Sequence, residues 1–112
     1  MHSKELLKGT LQTLILQLLA ENGKMYGYEM TQKVKALSEG QIQLTEGALY
    51  PTLHKLEANG LLITEKVNIG RRVRKYYSLT DLGSSTAKIK VQEFSEFIQT
   101  MKILLNLQPG LE

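Results

Sequence analysis

The stretch TEGALYPTLHKLEANG, residues 45–60, determines how the rest of the chain is interpreted. Three of its leucines recur at spacings of four and three, which predicts one apolar stripe along a helix: Leu49, Leu53 and Leu56. Three polar or aromatic residues are predicted to point away from that stripe: Tyr50, His54 and Lys55. One face of this helix therefore packs against a core, and the other is available to a partner.

Signals at both ends support the same helix. Thr45 is predicted to cap its N-terminus, and Glu46 complements the positive end of the helix dipole. Pro51 removes one backbone hydrogen bond, so we expect a distorted first turn. Gly60 ends the helix, and residues 61–64, LLIT, have the composition of a strand. A helix that leads directly into a strand, on a basic chain, makes nucleic acid the first binding partner to consider.

The length and composition of the chain are those of one ordinary globular domain. It has 112 residues, of which 42% are hydrophobic and 22% charged, and it contains no cysteine, so disulfides and thiolate metal sites are excluded. The apolar run near the N-terminus is interrupted by Gln12, Thr13 and Gln17. We therefore expect neither a signal peptide nor a membrane span.

Positive charge is concentrated in the middle of the chain, whose net charge is +3. Residues 1–44 carry five Lys or Arg against four Asp or Glu, residues 45–79 six against three, and residues 80–112 three against four. Four of the six middle cations lie in RRVRK, residues 71–75. A cluster of this density predicts contact with nucleic acid, and a solvated hairpin is the alternative.

Two helices and one strand are predicted ahead of residue 45. Apolar spacings of three and four predict one amphipathic helix over residues 4–21 and a second helix over residues 27–38. A short connection at residues 24–27 is expected to join them. Residues 41–44 alternate polar and apolar, which predicts one short strand.

A basic hairpin is predicted after the helix at residues 45–60. Its strands are expected at residues 62–67 and 74–79, with Gly70 at the tip of the connection. In the second strand, Val73, Tyr77 and Leu79 are predicted to share one face. The other face is expected to carry Arg72, Arg74 and Tyr76.

A final helix is predicted from the Thr80-Asp81 cap to about residue 107. Its apolar positions follow a heptad spacing: Ala87, Val91, Phe94, Ile98, Met101 and Leu105. Phe97 and Leu104 widen the stripe beyond what a monomer of this size readily covers. A second copy of the chain is the simplest cover.

The order of elements is that of a winged helix-turn-helix, in an α+β chain that is mostly α and ends in a long dimerisation helix. We expect a DNA-binding domain at residues 1–80, a dimerisation helix at 81–108 and a disordered tail at 109–112. In such proteins the recognition helix lies in the major groove, and a basic hairpin contacts the backbone or the minor groove. The residues expected to contact DNA are Tyr26, Glu46, Tyr50, His54, Lys55, Arg71, Arg72 and Arg74.

For several of these residues, a structural role is the alternative to a contact with DNA. Tyr26 and Tyr28 either touch phosphate or are half-buried packing residues at a helix start. His54 is either a base or phosphate contact or an uncharged surface histidine. For the apolar positions of the final helix, packing against the chain's own first helix and packing against a second copy both apply.

Several motifs, in this order and spacing, resemble the PadR family of bacterial transcriptional regulators. The similarity covers roughly residues 6–83, and the motifs that carry it are YGYEM at 26–30, EGALYPTLHKLE at 46–57, GL at 60–61, GRR at 70–72 and KYYSLTDLG at 75–83. The resemblance implies a homodimeric, mostly repressing, winged-helix DNA-binding protein of the bacterial cytoplasm. It also implies an effector, often a phenolic or multidrug-type aromatic compound.

The single C-terminal helix resembles the compact subgroup of that family, in which an apolar effector pocket forms between two subunits. The dimer interface implied for this chain consists of Leu7, Leu11, Val91, Phe94, Ile98, Met101 and Leu105. A tryptophan commonly stacks the ligand in that subgroup, whereas this chain has none. The candidate pocket residues are therefore Phe94, Phe97 and Met101.

Catalysis is not expected, because the inventory of reactive residues is short. Asp81 is the one aspartate and lies at a helix start, and the two histidines are far apart in sequence. No phosphate-binding glycine loop and no metal-ligand spacing is present, so neither cofactor nor metal is expected. Three functions remain: a repressor that binds an inverted repeat, a module that holds an acidic protein partner, and a winged-helix protein that mainly senses a small molecule.

Overall fold

Helices make up most of the described chain, residues 4–107 of the computed structural model, and three antiparallel strands complete it. The sheet order is β1-β3-β2, so the chain is α+β and mostly α, as predicted. The elements are α1 Lys4–Lys8, α2 Leu11–Asn22, β1 Met25–Tyr26, α3 Gly27–Leu37, α4 Glu46–Ala58, β2 Leu62–Ile69, β3 Arg72–Leu79 and α5 Asp81–Leu104.

The predicted single helix over residues 4–21 is in fact two helices, because the chain breaks at Gly9 and Thr10. The backbone N–H and the hydroxyl of Thr10 both donate to the carbonyl of Leu7, each at 3.0 Å, which closes α1. The carbonyl of Thr10 then accepts from the N–H of Leu14 at 2.9 Å and starts α2. Apolar spacing continues across this break, so periodicity alone did not reveal it.

The short strand lies at a different place from the predicted one. Residues 24–27 were expected to be a connection, but Met25 and Tyr26 form β1 and pair with Tyr77 and Tyr76 of β3. The predicted strand at residues 41–44 is wrong. That segment is a loop whose Ile42 N–H donates to the hydroxyl of Ser38 at 3.0 Å.

The basic hairpin is confirmed and is longer than predicted. The register runs from Leu62 opposite Leu79 to Ile69 opposite Arg72, which leaves a two-residue turn at Gly70 and Arg71. Gly70 has φ of +62°, whereas Arg71 does not have a positive φ. A positive φ at the first turn residue alone is the type II′ pattern, which matches the twist of a hairpin and favours glycine there.

The leucine stripe of α4 lies in the centre of the core. Leu49, Leu53 and Leu56 are fully buried, as predicted, together with side chains of α2, α3 and the sheet. The hydroxyl of Thr45 accepts from the N–H of Ala48 at 3.2 Å, which confirms the N-cap. The helix runs unbroken through its internal proline. The outer face of α4 is thus fixed by complete burial of its inner face.

The end of α4, the hairpin and the start of α5 meet at one junction. The N–H of Thr80 donates to the carbonyl of Leu61 at 3.1 Å, and its hydroxyl donates to the carbonyl of Gly60 at 2.7 Å. The same hydroxyl accepts from the N–H of Gly83 at 2.9 Å, which confirms Thr80 as the cap of α5. A β-carbon on Gly83 would overlap the Leu61 carbonyl, so only glycine permits this approach.

Helix α5 packs against α2 near its start and then extends beyond the rest of the chain. Ala87 is 1% exposed, whereas Ile98 is 38% and Leu105 57% exposed. The described residues span 60 × 29 × 21 Å, an elongated shape. The helix ends at Leu104, three residues earlier than predicted, and the tail expected at residues 109–112 lies outside the described residues.

Candidate nucleic-acid interface

The outer face of α4 presents charge to solvent. Glu46, His54 and Lys55 are exposed, as predicted. Glu46 lies in the first turn, where its carboxylate faces the positive end of the helix dipole. Within residues 4–107, His54 and Lys55 form no side-chain hydrogen bond or ion pair with another residue. Around the helix, His54 lies about 80° from Glu46 and Lys55 about 180° from it, so these three accessible side chains are spread over about half of the circumference.

Tyr50 does not point fully away from the leucine stripe, and to that extent the prediction is wrong. Its ring is half-buried and packs against the core cluster. A β-carbon on Gly27 would overlap the Tyr50 phenol, so the ring lies directly over the start of α3. Residue 50 is one position after Leu49, only about 100° around the helix, so a long side chain reaches the neighbouring element. One edge of Tyr50 is therefore structural.

Glu57, near the C-terminal end of α4, connects the helix to the hairpin. Its carboxylate accepts from the hydroxyl of Thr64 at 3.2 Å and lies 3.8 Å from the ammonium of Lys75. Lys75 also lies 5.4 Å from the ring centre of Tyr77. Lys75 therefore belongs to the contact with α4, although it is part of the RRVRK cluster.

The two arginines at the hairpin tip have different surroundings from Lys75. Arg71 and Arg72 are both exposed. In the described part of the chain, neither side chain has an ion pair or an aromatic partner. Their guanidinium groups are free to meet phosphate oxygens, which they match with two parallel hydrogen bonds.

Arg74 lies on the face of β3 opposite to Lys75 and is stacked. Its guanidinium carbon is 4.0 Å from the ring centre of Tyr26. The Tyr76 side chain raises the pKa of Arg74 further above its ordinary value, and Tyr26 and Glu29 add to this effect, whereas loss of hydration opposes it. The predicted common face of Arg74 and Tyr76 is thus confirmed, and the guanidinium stays charged at every working pH.

This geometry agrees with the relatives of the chain. The sequence model of the transcriptional regulator PadR-like family matches residues 15–89. The chain belongs to the PadR-like family. Transcriptional regulator Rv3488 of Mycobacterium tuberculosis is 36% identical over 80 residues, which cover 71% of each protein.

Solved structures show the same fold for this PadR-like chain. A PadR family transcriptional regulator from Eggerthella lenta is 35% identical, with a TM-score of 0.72 over 90% of this chain and 82% of its own. A transcriptional regulator from Clostridium thermocellum has a TM-score of 0.82 at 27% identity, over 91% of this chain and 96% of its own. The family consists of winged-helix, DNA-binding transcriptional regulators and not of enzymes.

The residues predicted for dimerisation of the PadR-like chain fall into two groups. Leu11 is buried in the chain's own core, because α2 turns it inward, so a partner would gain little contact with it. The other six remain at least partly accessible: Leu7, Val91, Phe94, Ile98, Met101 and Leu105. Apolar side chains outside the prediction are also exposed near the end of α5, among them Ile103 and Leu107.

The candidate effector residues lie on one side of α5. The ring centres of Phe94 and Phe97 are 6.4 Å apart, with planes tilted by 38°. Phe97 is 58% exposed, whereas Phe94 and Met101 are half-buried. An open groove of about 500 Å³ lies elsewhere, between β1 and α3, and includes Lys24, Tyr26 and Tyr28 in its lining. No described helix of the chain is long and apolar enough to cross a membrane.

Sequence reasoning missed residues that organise the interface instead of facing it. Glu57 was counted only as charge, and Lys24 only as part of a connection. Lys24 lies 5.3 Å from the ring centre of Tyr76 and 3.3 Å from the carboxylate of Glu65. The alternation of β3 placed Arg74 and Tyr76 together, but no local signal located β1 beside them.

Proposed function

We propose that this PadR-like protein is a homodimeric repressor that binds an inverted-repeat operator. Helix α4 enters the major groove, and the hairpin tip contacts the backbone or the minor groove. The observation that carries this proposal is the pair of free guanidinium groups at Arg71 and Arg72, on a hairpin that Glu57 ties to α4. Base contact and phosphate contact then come from two elements of fixed relative position.

The accessible side chains of α4 supply the base contacts in this proposal. Glu46 can accept a hydrogen bond from the amino group of cytosine, and His54 can donate to an acceptor on guanine or adenine. Lys55 lies about 100° around the helix from His54 and reaches the phosphates at the groove wall. Tyr50 offers the exposed edge of its ring to this face, because its hydroxyl packs over Gly27 at the start of α3. In this proposal, few residues of the protein therefore determine which DNA sequence it binds.

Dimerisation is supported by the uncovered apolar side of α5. Ile98 and Leu105 are exposed in the single chain, and they continue the seam that begins at the buried Ala87. A two-fold dimer through this seam presents two copies of α4, which calls for half-sites about one helical turn of DNA apart. Each copy adds its own phosphate contacts to the same duplex.

The proposed function also includes release of the protein from its operator when a small aromatic effector binds. Phe94 and Phe97 offer two neighbouring rings, and Met101 offers an adaptable thioether one turn later. A flat apolar compound between two subunits would contact these side chains and change how the α5 helices pack. Such a regulator acts in the bacterial cytoplasm, which contains the chromosome.

Genomic DNA fragments retained by the purified wild-type protein test the function and supply the operator. Arg71→Ala combined with Arg72→Ala is expected to weaken binding to operator and random duplexes alike. It is also expected to make the slope of log K against log salt shallower by about four, about one for each of the two arginines in each subunit. Lys88→Ala combined with Lys90→Ala removes the same charge from α5 and serves as the control.

Two results would contradict the proposal. A salt slope unchanged by the arginine pair would remove the hairpin from DNA binding. Absence of any DNA retained by wild-type protein at moderate salt would instead favour a module that holds an acidic protein partner. A compound that shifts both the melting temperature and the DNA affinity would support effector release.

A further inference from the structure

Pairing of β1 with β3 places three side chains in one stack. Tyr26 lies opposite Tyr76 in the register, and Arg74 is two residues before Tyr76, on the same face of the strand. The guanidinium carbon of Arg74 is 4.0 Å from the centre of the Tyr26 ring, within the range of a cation–π contact. The two-residue strand β1 therefore brings an aromatic ring under a cation of the hairpin.

The Tyr26 ring is itself held in place. It meets the Tyr76 ring edge-on, with centres 5.5 Å apart and planes at 82°. The backbone N–H of Tyr26 donates to the carboxylate of Glu29 at 3.1 Å, which fixes the residue at the start of α3. Lys24 covers the Tyr76 ring at 5.3 Å. The surface under Arg74 is thus determined before any ligand arrives.

Arg74 differs in this respect from the arginines at the tip. Arg71 and Arg72 are exposed and have no stacking partner in the described chain, so binding must restrict their rotamers. A stacked guanidinium has already lost part of that freedom and keeps its hydrogen-bond donors at the ring edge. A contact with phosphate would therefore cost Arg74 less conformational entropy than it would cost Arg71 or Arg72.

We infer that Tyr26 acts on DNA through Arg74, as a positioning residue that holds the guanidinium where a phosphate will lie. This inference rests on the proposed function, since it assigns a role within DNA binding. It replaces a direct phosphate contact by the Tyr26 hydroxyl with a contact made by Arg74. The ring of Tyr26 is required, and its hydroxyl is not.

A double-mutant cycle tests the inference on the duplex that wild-type protein retains most strongly. Arg74→Ala is expected to weaken binding about tenfold and to make the salt slope shallower by about two, one contact for each subunit of the dimer. Tyr26→Leu is expected to weaken binding about two- to fivefold with the salt slope unchanged, because the charge remains. Tyr26→Phe keeps the ring and is expected to stay within about twofold of wild type, as in a cation–π contact with phenylalanine. The variant that combines Tyr26→Leu with Arg74→Ala is expected to bind like Arg74→Ala alone.

Additive losses in the double variant would overturn the inference, and so would a loss for Tyr26→Phe equal to that for Tyr26→Leu. Thermal melting of each variant shows whether the Tyr26→Leu protein folds. If that protein does not fold, the DNA affinities of Tyr26→Phe and Arg74→Ala still show which side chain touches phosphate. A Tyr26 hydroxyl that contacts phosphate would make the phenylalanine variant bind several-fold more weakly. Wild-type protein that binds no DNA would instead overturn the proposed function itself.

Discussion

At the scale of single residues, Tyr77 combines burial with a titratable group. Its side chain is 2% exposed, and burial raises the pKa of its phenol above the ordinary value, with Glu57 and Tyr50 adding to the shift. The folded chain therefore holds the proton more tightly than the unfolded chain. The resulting stability is fully present below the unfolded pKa of about 10 and is lost as pH rises through the folded value.

Tyr77→Phe is expected to remove this alkaline dependence, because phenylalanine has no proton to lose. Urea unfolding at pH 8 and at pH 10.5 measures it as the difference in the free energy of unfolding. Tyr28→Phe is the matched control, since Tyr28 is 63% exposed. An equal alkaline loss in the wild type and the Tyr77→Phe variant would contradict the assignment to Tyr77.

Gly83 is a second residue whose role follows from one contact. A β-carbon there would overlap the carbonyl oxygen of Leu61, a backbone atom that cannot move aside freely. Gly83→Ala is expected to lower the free energy of unfolding by about 1–3 kcal/mol. Gly47→Ala is the control, because its β-carbon would meet nothing within 4 Å and alanine favours the helix by up to about 1 kcal/mol. Chemical denaturation that ranked the two variants in the opposite order would contradict this account.

At the scale of elements, Glu57 fixes the hairpin on α4. Glu57→Ala removes the hydrogen bond from Thr64 and the ion pair with Lys75 at once. Both charged side chains are about one-third exposed, so we expect a loss of about 1 kcal/mol in the free energy of unfolding, measured by urea denaturation.

Glu65→Ala removes a more exposed ion pair, that with Lys24, and serves as the control for the Glu57 variant. It is expected to cost less than about 0.5 kcal/mol. Equal losses in the two variants would mean that Glu57 stabilises the chain no more than an ordinary surface carboxylate.

The sequence predicted those elements whose signals are local. The hairpin follows from the two predicted strands on either side of Gly70, and α4 follows from its cap and leucine spacing. Strand β1 could not be predicted in this way, because two residues have no periodicity and become a strand only by pairing with β3. The loop at residues 41–44 shows the converse, since its alternation suggested a strand where Ser38 holds a turn instead.

The candidate interface was predictable to a similar extent. Sequence spacing identified exposed Glu46, His54 and Lys55, because helix periodicity separates inner from outer positions. It treated RRVRK as one cluster, whereas the structure gives Arg74 and Lys75 different partners on opposite faces of β3. Such partners come from β1 and α4, which are distant in sequence, so no local pattern contains them.

At the scale of the whole molecule, the apolar side of α5 predicts the assembly. Ile98→Asp combined with Leu105→Asp is expected to convert a dimer into a monomer, because two charges from each subunit would be buried in the seam. Sedimentation measures the change, and operator affinity is expected to fall with it.

A charge on the opposite side of α5 is the control for the assembly. Ile89→Asp lies half a turn away from Ile98 and is 59% exposed, so it is expected to leave the dimer intact. A wild-type protein that sediments as a monomer would contradict the seam outright.

The junction at Leu61, Thr80 and Gly83 joins the first turn of α5 to the end of α4. Thr80 donates from its N–H and its hydroxyl to carbonyls of the segment that ends α4, so we expect a tilt of α5 to move α4 with it. Helix α5 has 24 residues and is therefore about 36 Å long. A tilt of about 5° at its far end displaces its first turn, and α4 with it, by about 3 Å, close to the rise of one base pair. Small adjustments at the far end of α5 are thus large on the length scale of DNA.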